Sequence, residues 1–385
     1  MVLLLAACSS ANDSVGEDRS DGTAAAPTAH ATDGTEPTEP TEPTGDDSDD
    51  SDDATEPSDD GSTRGDDDGG DPNAEHASTP PGPMPTVEGL VRCPAPTVTV
   101  ADTAALHDAL AAAEPGDVIA LAPGRYRGKF VAANPATTDR PIFVCGPRDA
   151  VIDGEGIKGG YAFHLDGASA WRLVGFTVRN AQKGVVADHV DHVIIEGLLV
   201  EDIGDEAIHL RTFSTDSIVI GNEIRDTGQR RAKFGEGIYV GSAESNWCAY
   251  TDCEPDRSDR NLIVGNLIYG TTAESIDIKE GTTAGVVRSN SFSGSALSGA
   301  DSWVDVKGTS WIITDNVGVD SPQDGFQMHQ ILEGWGASNE FARNTATVNG
   351  PGYGFAVTNT EANVVRCDNV VTDAAAGFAD IECSA

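Results

Sequence analysis

Short apolar strands that recur along the chain constrain its fold more than any other feature of the sequence. Eight three-residue segments each place two apolar residues around a middle residue, at 163–165, 185–187, 208–210, 238–240, 276–278, 304–306, 326–328 and 355–357. Side chains alternate between the two faces of a strand, so the flanking residues point inward and the middle residue points outward. The shortest period, about 22 residues, indicates a repeat architecture built from one strand-and-turn unit.

A second set of strands bends at a recurring glycine or asparagine. Both residue types tolerate the left-handed backbone conformation, so the pattern predicts one sharp bend in every turn. Stacked asparagine amides can also hydrogen-bond to one another along such a column. The predicted bend positions are Gly175, Gly197, Asn222, Asn266, Asn290, Asn316 and Asn344, with Asn369 one residue out of step.

Charge divides the 385-residue chain, whose formal net charge is −39, into two parts. Residues 9–88 are rich in Asp, Glu, Thr, Pro and Ser and contain no aromatic residue. Such a segment buries too little apolar surface to offset its conformational entropy, and its charges repel one another. We therefore expect a disordered tether at 9–88 and one large folded domain at 89–385.

The first eight residues, Met-Val-Leu-Leu-Leu-Ala-Ala-Cys, resemble the end of a bacterial lipoprotein signal peptide. This resemblance implies a lipid on Cys8 and, because Ser9 follows, a location at the outer membrane, on the cell surface or outside the cell. The basic residues that open such signals are missing, and an accidental apolar N-terminus is the alternative. No later segment has the run of about 20 apolar residues that spans a bilayer, so the lipid would be the membrane contact.

Six further cysteines suggest disulfide bonds, because an even number is typical of exported domains. Many pairings are open, and proximity in the sequence favours Cys93–Cys145, Cys248–Cys253 and Cys367–Cys383. A zinc site is the alternative. It is disfavoured because no two cysteines have the Cys-x-x-Cys spacing and no histidine lies near one.

The residues that precede the repeats predict a helix at the start of the domain. Asp102 is a suitable N-cap for an alanine-rich helix through Ala113, in which Leu106 and Leu110 lie one turn apart. The Pro-Gly pair at 115–116 ends this helix, and strands are expected at 117–122 and 126–132.

Three strands per turn, the Gly and Asn column and the period resemble the right-handed parallel β-helix of the pectate-lyase-like superfamily. The segment 104–126, with Pro-Gly-Asp-Val-Ile-Ala-Leu at 115–121, looks like the N-terminal cap of alginate-lyase and chondroitinase-B type polysaccharide lyases. The resemblance covers residues 93–385. It implies an all-β solenoid with an N-terminal capping helix, and it is more specific for the fold than for an activity.

Two nearly identical strands predict a charged patch on one outward face. If the segments 275–279 and 303–307 stack, Asp277 and Asp305 lie about 4.8 Å apart. Two bare carboxylates at that distance repel each other, so a cation such as Ca²⁺, or the neighbouring Lys279 and Lys307, should compensate them. The plain alternative is a pair of exposed ion pairs, Asp277 with Lys307 and Asp305 with Lys279, which would stabilise little.

The family resemblance implies a lyase that cleaves an acidic, uronate-containing polysaccharide by β-elimination. This reaction needs a neutralised uronate carboxylate, a base for the proton at C5 and an acid for the leaving oxygen. The resemblance favours Lys279 as the base, with Lys307 second, and Arg211 as the carboxylate clamp. The acid would be His209, Tyr239 or His329, and the Ca²⁺ ligands would be Glu236, Glu274, Asp277 and Asp305.

Loops beside the middle turns carry basic and aromatic residues in an otherwise acidic protein. Such a rim can attract an anionic polymer and offer aromatic platforms for its sugar rings, whereas a merely solvated set of loops is the alternative. The candidate substrate-binding residues are Arg230, Arg231, Lys233, Trp247 and Tyr250.

Other functions could use the same face. A glycoside hydrolase could employ Asp277 and Asp305, whose expected spacing is nearer to that of retaining enzymes, but the motifs of β-helix hydrolases are missing. A C5-epimerase would need similar groups, and a carbohydrate-binding or adhesive lipoprotein would need only the groove. A pI near 4.2 disfavours nucleic acid as a partner, and we expect a monomer.

Overall fold

The computed structural model describes residues 78–86, 88–90, 92–358 and 362–385. The predicted lipid site at Cys8 and the tether as far as residue 77 lie outside the described residues. Within the described ranges, no helix has the length and apolar character needed to cross a membrane.

An N-terminal helix, Thr103–Ala112, packs at the start of the domain. The Asp102 carboxylate caps it by accepting a hydrogen bond from the Ala105 amide at 2.9 Å. Leu106 and Leu110 are fully buried on its inner side, which confirms the predicted capping helix. The other helical segments lie in loops and are short: Trp247–Tyr250, Ala232–Phe234 and Glu244–Asn246.

Three parallel sheets form the rest of the domain, and each turn of the chain adds one strand to sheet I, then sheet II, then sheet III. Sheet I contains Val98–Val100, Val118–Leu121, Ile142–Cys145, Trp171–Val174, Ile194–Glu196, Ile218–Ile220, Leu262–Val264, Val286–Arg288, Ile312–Thr314, Glu340–Ala342 and Val364–Val365. Sheet II contains Gly124–Arg127, Ala150–Asp153, Thr177–Ala181, Leu199–Ile203, Glu223–Arg225, Leu267–Tyr269, Ser291–Ser293, Val317–Val319, Thr345–Gly350 and Val370–Ala374. Sheet III contains Phe130–Ala132, Tyr161–Asp166, Lys183–Asp188, Ile208–Arg211, Ile238–Val240, Ile276–Ile278, Val304–Val306, Phe326–Met328, Tyr353–Val357 and Gly377–Ala379. This architecture confirms the predicted all-β parallel β-helix.

The eight predicted short strands are the middle of sheet III, and their flanking residues fill the interior. Ile276 and Ile278 of one turn, and Val304 and Val306 of the next, are fully buried. Aromatic side chains continue this core toward the C-terminus, where the rings of Phe326 and Phe355 stack at 5.1 Å between centroids. The alternation of apolar and other residues therefore decided which face of each strand is inward.

A ladder of buried asparagines runs along the bend after sheet I. Each side-chain amide donates from Nδ2 to the Oδ1 of the asparagine one turn further on, at 2.9–3.0 Å. Each Nδ2 also donates to a backbone carbonyl of the preceding turn, so both amide protons are satisfied. The ladder contains Asn222, Asn266, Asn290, Asn316, Asn344 and Asn369.

The predicted column was right at its two glycines, because Gly175 (φ 88°) and Gly197 (φ 61°) are left-handed. From Asn222 to Asn344 it was wrong by one residue, because the left-handed residue is the one before the asparagine, as at Ser289 (φ 55°) and Asp315 (φ 59°). Asn369 comes one residue later than the other asparagines relative to its strand of sheet I, as predicted, because Phe341 pairs with Val365. Its Oδ1 nevertheless accepts hydrogen bonds from both the amide and the side chain of Asn344. An asparagine has to point inward to bond along the axis, so the strained conformation falls on its outward-pointing neighbour.

The three predicted disulfide bonds are present. Cys93 pairs with Cys145, Cys248 with Cys253 and Cys367 with Cys383. The first ties the segment before the capping helix to sheet I, the second closes a small ring in the loop after strand Ile238–Val240, and the third fastens the C-terminal end.

We expect Asn290→Ala to lower the free energy of unfolding by about 2–4 kcal/mol, because it leaves buried partners on both adjacent turns without hydrogen bonds. Urea titration followed by circular dichroism would measure this change. Asn246→Ala is the matched control, because the Asn246 side chain makes no capping hydrogen bond and lies outside the ladder. Equal stability of the two variants would contradict a structural role for the ladder.

Candidate active site

The outer face of sheet III carries three aligned rows of side chains. Like positions of successive strands lie opposite one another, because the strands pair in parallel register. The middle row is His164, Val186, His209, Tyr239, Asp277, Asp305 and Gln327. Two residues further along each strand lie Asp188, Arg211, Gly241, Lys279, Lys307 and His329. Three residues before the middle position lie Tyr161, Lys183, Glu206, Glu236, Glu274 and Asp324.

A chain of ion pairs crosses two of these rows. Asp277 pairs with Lys279 at 2.9 Å and with Lys307 at 3.0 Å, and Lys307 also pairs with Asp305 at 2.8 Å. His329 Nδ1 lies 2.9 Å from the other oxygen of Asp305. Asp277 and Asp305 are only 1% and 4% exposed. The expected Asp277–Lys307 pair therefore exists, but it is buried instead of lying on the open surface.

Both lysines of this chain hold their protons tightly. Burial alone would lower the pKa of Lys279, but the Asp277 carboxylate outweighs burial and holds that pKa well above its usual value. The same balance, with Asp277 and Asp305 as the carboxylates, raises the pKa of Lys307. The pKa of Asp305 is low because Lys307 and His329 overcome the effect of burial. Both lysines are therefore ammonium groups in the resting protein.

Three carboxylates beside the ion pairs form a candidate cation site. One oxygen from each of Glu236, Glu274 and Asp277 lies within 4.8 Å of the others. Among the described residues, Glu236 Oε2 is buried without a hydrogen-bond partner. Burial and neighbouring carboxylates raise the pKa of Glu236 well above its usual range and that of Glu274 to about 7. Asp305, the fourth predicted ligand, lies outside this group. It is engaged by Lys307 and His329, as Asp277 is by the two lysines.

Such a group suits a hard cation. Carboxylate oxygens are the ligands that Ca²⁺ prefers, and oxygens within this distance of one another can share one ion. The unpartnered oxygen of Glu236 is a donor that a cation would satisfy. The alternative for closely packed carboxyl groups is protonation, which the raised pKa values of Glu236 and Glu274 favour in the absence of an ion.

Tyr239 lies between the carboxylate group and a buried histidine. The Lys279 ammonium is 5.2 Å from the centre of the Tyr239 ring, and His209 packs edge-on against that ring at 4.4 Å. Burial and the charges of Asp277 and Glu236 raise the pKa of Tyr239 well above its usual value, so its hydroxyl keeps its proton. The pKa of His209 is low because of burial and nearby cations, and its Nε2 donates to the Gly241 carbonyl at 2.8 Å.

Arg211 lies two strands away from Lys279 and is already engaged. Its Nε donates to Asp188 at 2.8 Å, and its Nη2 donates to the Tyr161 hydroxyl at 2.7 Å. The Tyr250 ring covers the guanidinium at 4.2 Å. Two strand spacings amount to about 10 Å, so the predicted carboxylate clamp and the predicted base do not face the same sugar atom.

The loop 241–260 is fixed to the sheet by one buried carboxylate. Asp256 accepts hydrogen bonds from the amides of Thr212 and Phe213 and from the Ser242 hydroxyl, all at 2.9 Å. Of the predicted aromatic platforms in this loop, Tyr250 lies over Arg211, whereas Trp247 is buried and donates from its indole to the Ser242 carbonyl. Sequence reasoning did not single out Asp256.

The predicted basic rim precedes strand Ile238–Val240, so it lies at the opposite end of this strand from the loop 241–260. Arg230 and Arg231 both pair with the buried Asp205. The Arg231 guanidinium and the Lys233 ammonium lie 4.1 and 5.6 Å from the Phe234 ring. The three cations are therefore gathered at one place, partly neutralised by Asp205.

One aromatic residue near the site was missed. Trp335 is partly exposed in the loop that follows His329, with Arg257 lying 5.7 Å from its ring. The Gly336 amide ties this loop to the Lys307 carbonyl at 3.0 Å. The sequence signal was a tryptophan between two glycines, which is typical of an exposed turn rather than of a core strand.

Comparison with known proteins gives a structural relative. No protein-family model matches the chain, and neither does any curated protein. The crystal structure of an alginate lyase from Paenibacillus sp. str. FPU-7 is 33% identical in sequence, with a TM-score of 0.69. The match covers 74% of this chain and 98% of that enzyme. The chain belongs to the same family, within the pectate-lyase-like β-helix superfamily.

Two more distant solved structures share the fold alone. The pectate lyase Pel9A is 17% identical with a TM-score of 0.51, covering 71% of this chain and 72% of that one. The surface adhesin PfbA of Streptococcus pneumoniae is 12% identical with a TM-score of 0.51, covering 70% and 73%. The β-helix therefore occurs in proteins of different kinds, and function has to be argued from the side chains.

We expect Asp305→Asn to lower the pKa of His329, which the Asp305 hydrogen bond raises against the effect of burial. Without that carboxylate, burial and the Lys307 charge remain, and both favour the neutral imidazole. Titration of the His329 ring protons by NMR would measure the change. Asp324→Asn is the control, since Asp324 bonds Gln327 and the Tyr353 amide instead.

The contact between His329 and Asp305 should also make the stability of the fold depend on pH. A raised histidine pKa contributes stability below the unfolded pKa, and this contribution is lost as the pH rises through the folded pKa. The wild type should therefore exceed His329→Gln in melting temperature by more at acidic than at alkaline pH. A pKa of His329 that does not move in Asp305→Asn would refute the pairing.

Proposed function

We propose that this protein is a polysaccharide lyase that cleaves a uronate-containing chain by β-elimination. The observation that carries the proposal is a protonated tyrosine, Tyr239, beside the Lys279 ammonium and a group of carboxylates from two adjacent turns. The 33% identical family member, an alginate lyase, supports this choice of reaction and of an acidic substrate. A lipid at Cys8 would hold such an enzyme at the bacterial surface.

The reaction breaks the C5–H and C4–O bonds of a uronate and forms a C4–C5 double bond. In our proposal Lys279 is the base that takes the C5 proton. Tyr239, whose hydroxyl is protonated in the resting enzyme, is the acid and donates its hydroxyl proton to the leaving oxygen. Lys307 stays an ammonium between its two aspartates and stabilises negative charge that develops on the uronate. Lys279 has to lose its proton first, because Asp277 holds it in the ammonium form.

Ca²⁺ is the cofactor that we propose for the carboxylate group of Glu236, Glu274 and Asp277. A bound Ca²⁺ would neutralise the uronate carboxylate, which makes the C5 proton more acidic. The protein contributes the three oxygens, one from Asp277 and two from Glu236 and Glu274, which lie just before the strands of Tyr239 and Asp277.

A hydrolase that uses Asp277 and Asp305, the pair predicted for it, is less consistent with the electrostatics of the site. A glycosidase needs one carboxyl group with a raised pKa to act as an acid. Asp305 has a lowered pKa, and Asp277 is paired with two ammonium groups. A C5-epimerase would share the proton transfers at Lys279 without breaking the C4–O bond, and the absence of an unsaturated product would reveal it.

We expect Lys279→Ala and Tyr239→Phe each to lower kcat by about 10²–10⁴-fold, the usual contribution of a positioned acid or base. The assay follows the ultraviolet absorbance of the unsaturated product on alginate, pectate and glycosaminoglycans. Arg288→Ala, which removes an exposed cation of sheet I, should behave as the wild type. New reducing ends without absorbance would instead indicate a hydrolase.

The pH profile identifies the base in the same assay. If Lys279 is the base, activity should keep rising through the alkaline range, because the pKa of Lys279 lies above its usual value. A profile that levels off near neutral pH and shifts in His329→Gln would assign the base to His329. Lys279→Arg should be inactive, because arginine stays charged at all these pH values.

We expect Ca²⁺ to raise the melting temperature of the wild type, because a ligand that binds only the folded state adds stability. At a concentration 100 times its Kd the gain is about 2.7 kcal/mol. Glu236→Gln should lose most of this shift, while Glu280→Gln should retain it. Glu280 is equally buried with one unpartnered oxygen, but it lies outside the carboxylate group. No shift in the wild type at millimolar Ca²⁺ would rule out the proposed ion.

A further inference from the structure

A cluster of rings surrounds a buried ion pair in the N-terminal half of sheet III. Asp188 accepts four hydrogen bonds, from Arg211 Nε and Nη2, from the Thr212 hydroxyl and from His164 Nε2. Arg211 also donates to the Tyr161 hydroxyl and lies beneath Tyr250. Arg211 and Asp188 neutralise each other, and the reaction proposed at Lys279 uses neither of them.

The polar atoms at the outer edge of the cluster can still make hydrogen bonds. His164 uses Nε2 on Asp188, which leaves Nδ1 directed away from the pair. The Tyr161 oxygen accepts from Arg211, so its own proton can be donated elsewhere. Tyr161, His164 and Tyr250 are all partly exposed, and the Tyr161 and His164 rings meet edge-on at 5.2 Å. A donor, a nitrogen and ring faces at one place match the hydroxyls and apolar face of a pyranose.

The cluster lies in line with the proposed reaction centre. His164 and Asp277 occupy the same row of sheet III, four strands apart, which corresponds to about 19 Å. A single sugar cannot reach both, but a polymer lying along the stack of strands can. Val186 lies in this row between His164 and Asp277, and its outward side chain is fully buried. The side chains of the cluster therefore cover this part of the sheet.

We propose that Tyr161, His164 and Tyr250 form a distal subsite that binds one sugar ring of the uronate chain, on the side of the capping helix. Arg211 and Asp188 act as positioning residues that fix the two tyrosines and the histidine. The subsite binds the hydroxyl groups of the sugar ring rather than its carboxylate, because Arg211 already forms an ion pair with Asp188. This inference rests on the proposed function, since it names how that substrate is held.

Chain-length dependence tests the subsite. For long oligouronates, Tyr161→Phe and His164→Ala should each lower kcat/KM roughly three- to ten-fold, the effect of one lost hydrogen bond. For the shortest oligomers that the wild type cleaves, kcat/KM should be unchanged, because these do not reach the cluster. The kcat at saturation and the pH profile should also be unchanged, since neither residue touches the reacting atoms.

Tyr353→Phe is the matched control, because Tyr353 occupies the position of Tyr161 on the strand Tyr353–Val357, at the other end of the sheet. An equal loss on short and long oligomers, no loss on either, or a loss in the Tyr353 variant instead would overturn the subsite. Melting temperatures check that each variant folds, and Tyr161→Phe keeps the ring if His164→Ala does not fold.

Binding separates failure of the subsite from failure of the proposed function. Calorimetry with Lys279→Ala and long oligouronates measures affinity without turnover. If the wild type cleaves no polymer, a weaker binding caused by Tyr161→Phe would still support the subsite. Binding that is unchanged by Tyr161→Phe would refute it even if the lyase activity is found.

Discussion

Parallel stacking of strands at about 4.8 Å is the constraint on which the rest of this structure depends. Every residue of sheet III lies beside its counterpart one turn away. A functional group at a given strand position is therefore next to the side chain at the same position of the following turn. The buried asparagine ladder holds this register from Asn222 to Asn369. A shift of one residue in the turn of Asp277 would move Asp277 out of alignment with Tyr239 and separate it from Lys307 of the following turn.

Stacking also explains the electrostatics of the candidate site. Like charges repeated at this distance repel, so each has to be compensated within the rows. Lys307 does this for Asp277 and Asp305, and Asp188 does it for Arg211. The carboxylate group around Glu236 is where compensation by the protein is incomplete, as its raised pKa and unpartnered oxygen show. That imbalance sets this place apart from an ordinary surface network.

The strands, the capping helix, the disulfide pairs and the contact of Asp277 with Asp305 could be predicted because alternation, period and proximity are local properties of the sequence. The left-handed position was predicted correctly at Gly175 and Gly197 but one residue late from Asn222 to Asn344, because Gly and Asn tolerate the same conformation and only the inward amide distinguishes them. Burial of the ion pairs and of Trp247 could not be predicted. For Trp247, burial depends on how residues 241–260 fold back on the sheet, where Asp256 holds them through hydrogen bonds to Phe213 and Thr212, 43 and 44 residues away.

The position of the charges along the solenoid follows from how its stability is built. In a repeat protein each turn is stabilised mainly by its two neighbours, so turns at the ends have less support. Burying a charge costs several kcal/mol even when it is paired, and a middle turn can offset this cost through its ladder bonds and core contacts on both sides. Sheet III accordingly carries Tyr239, Asp277 and Asp305 on its middle strands and Ala356 near its end. Reactive groups of this kind can be accommodated only where the scaffold is doubly supported.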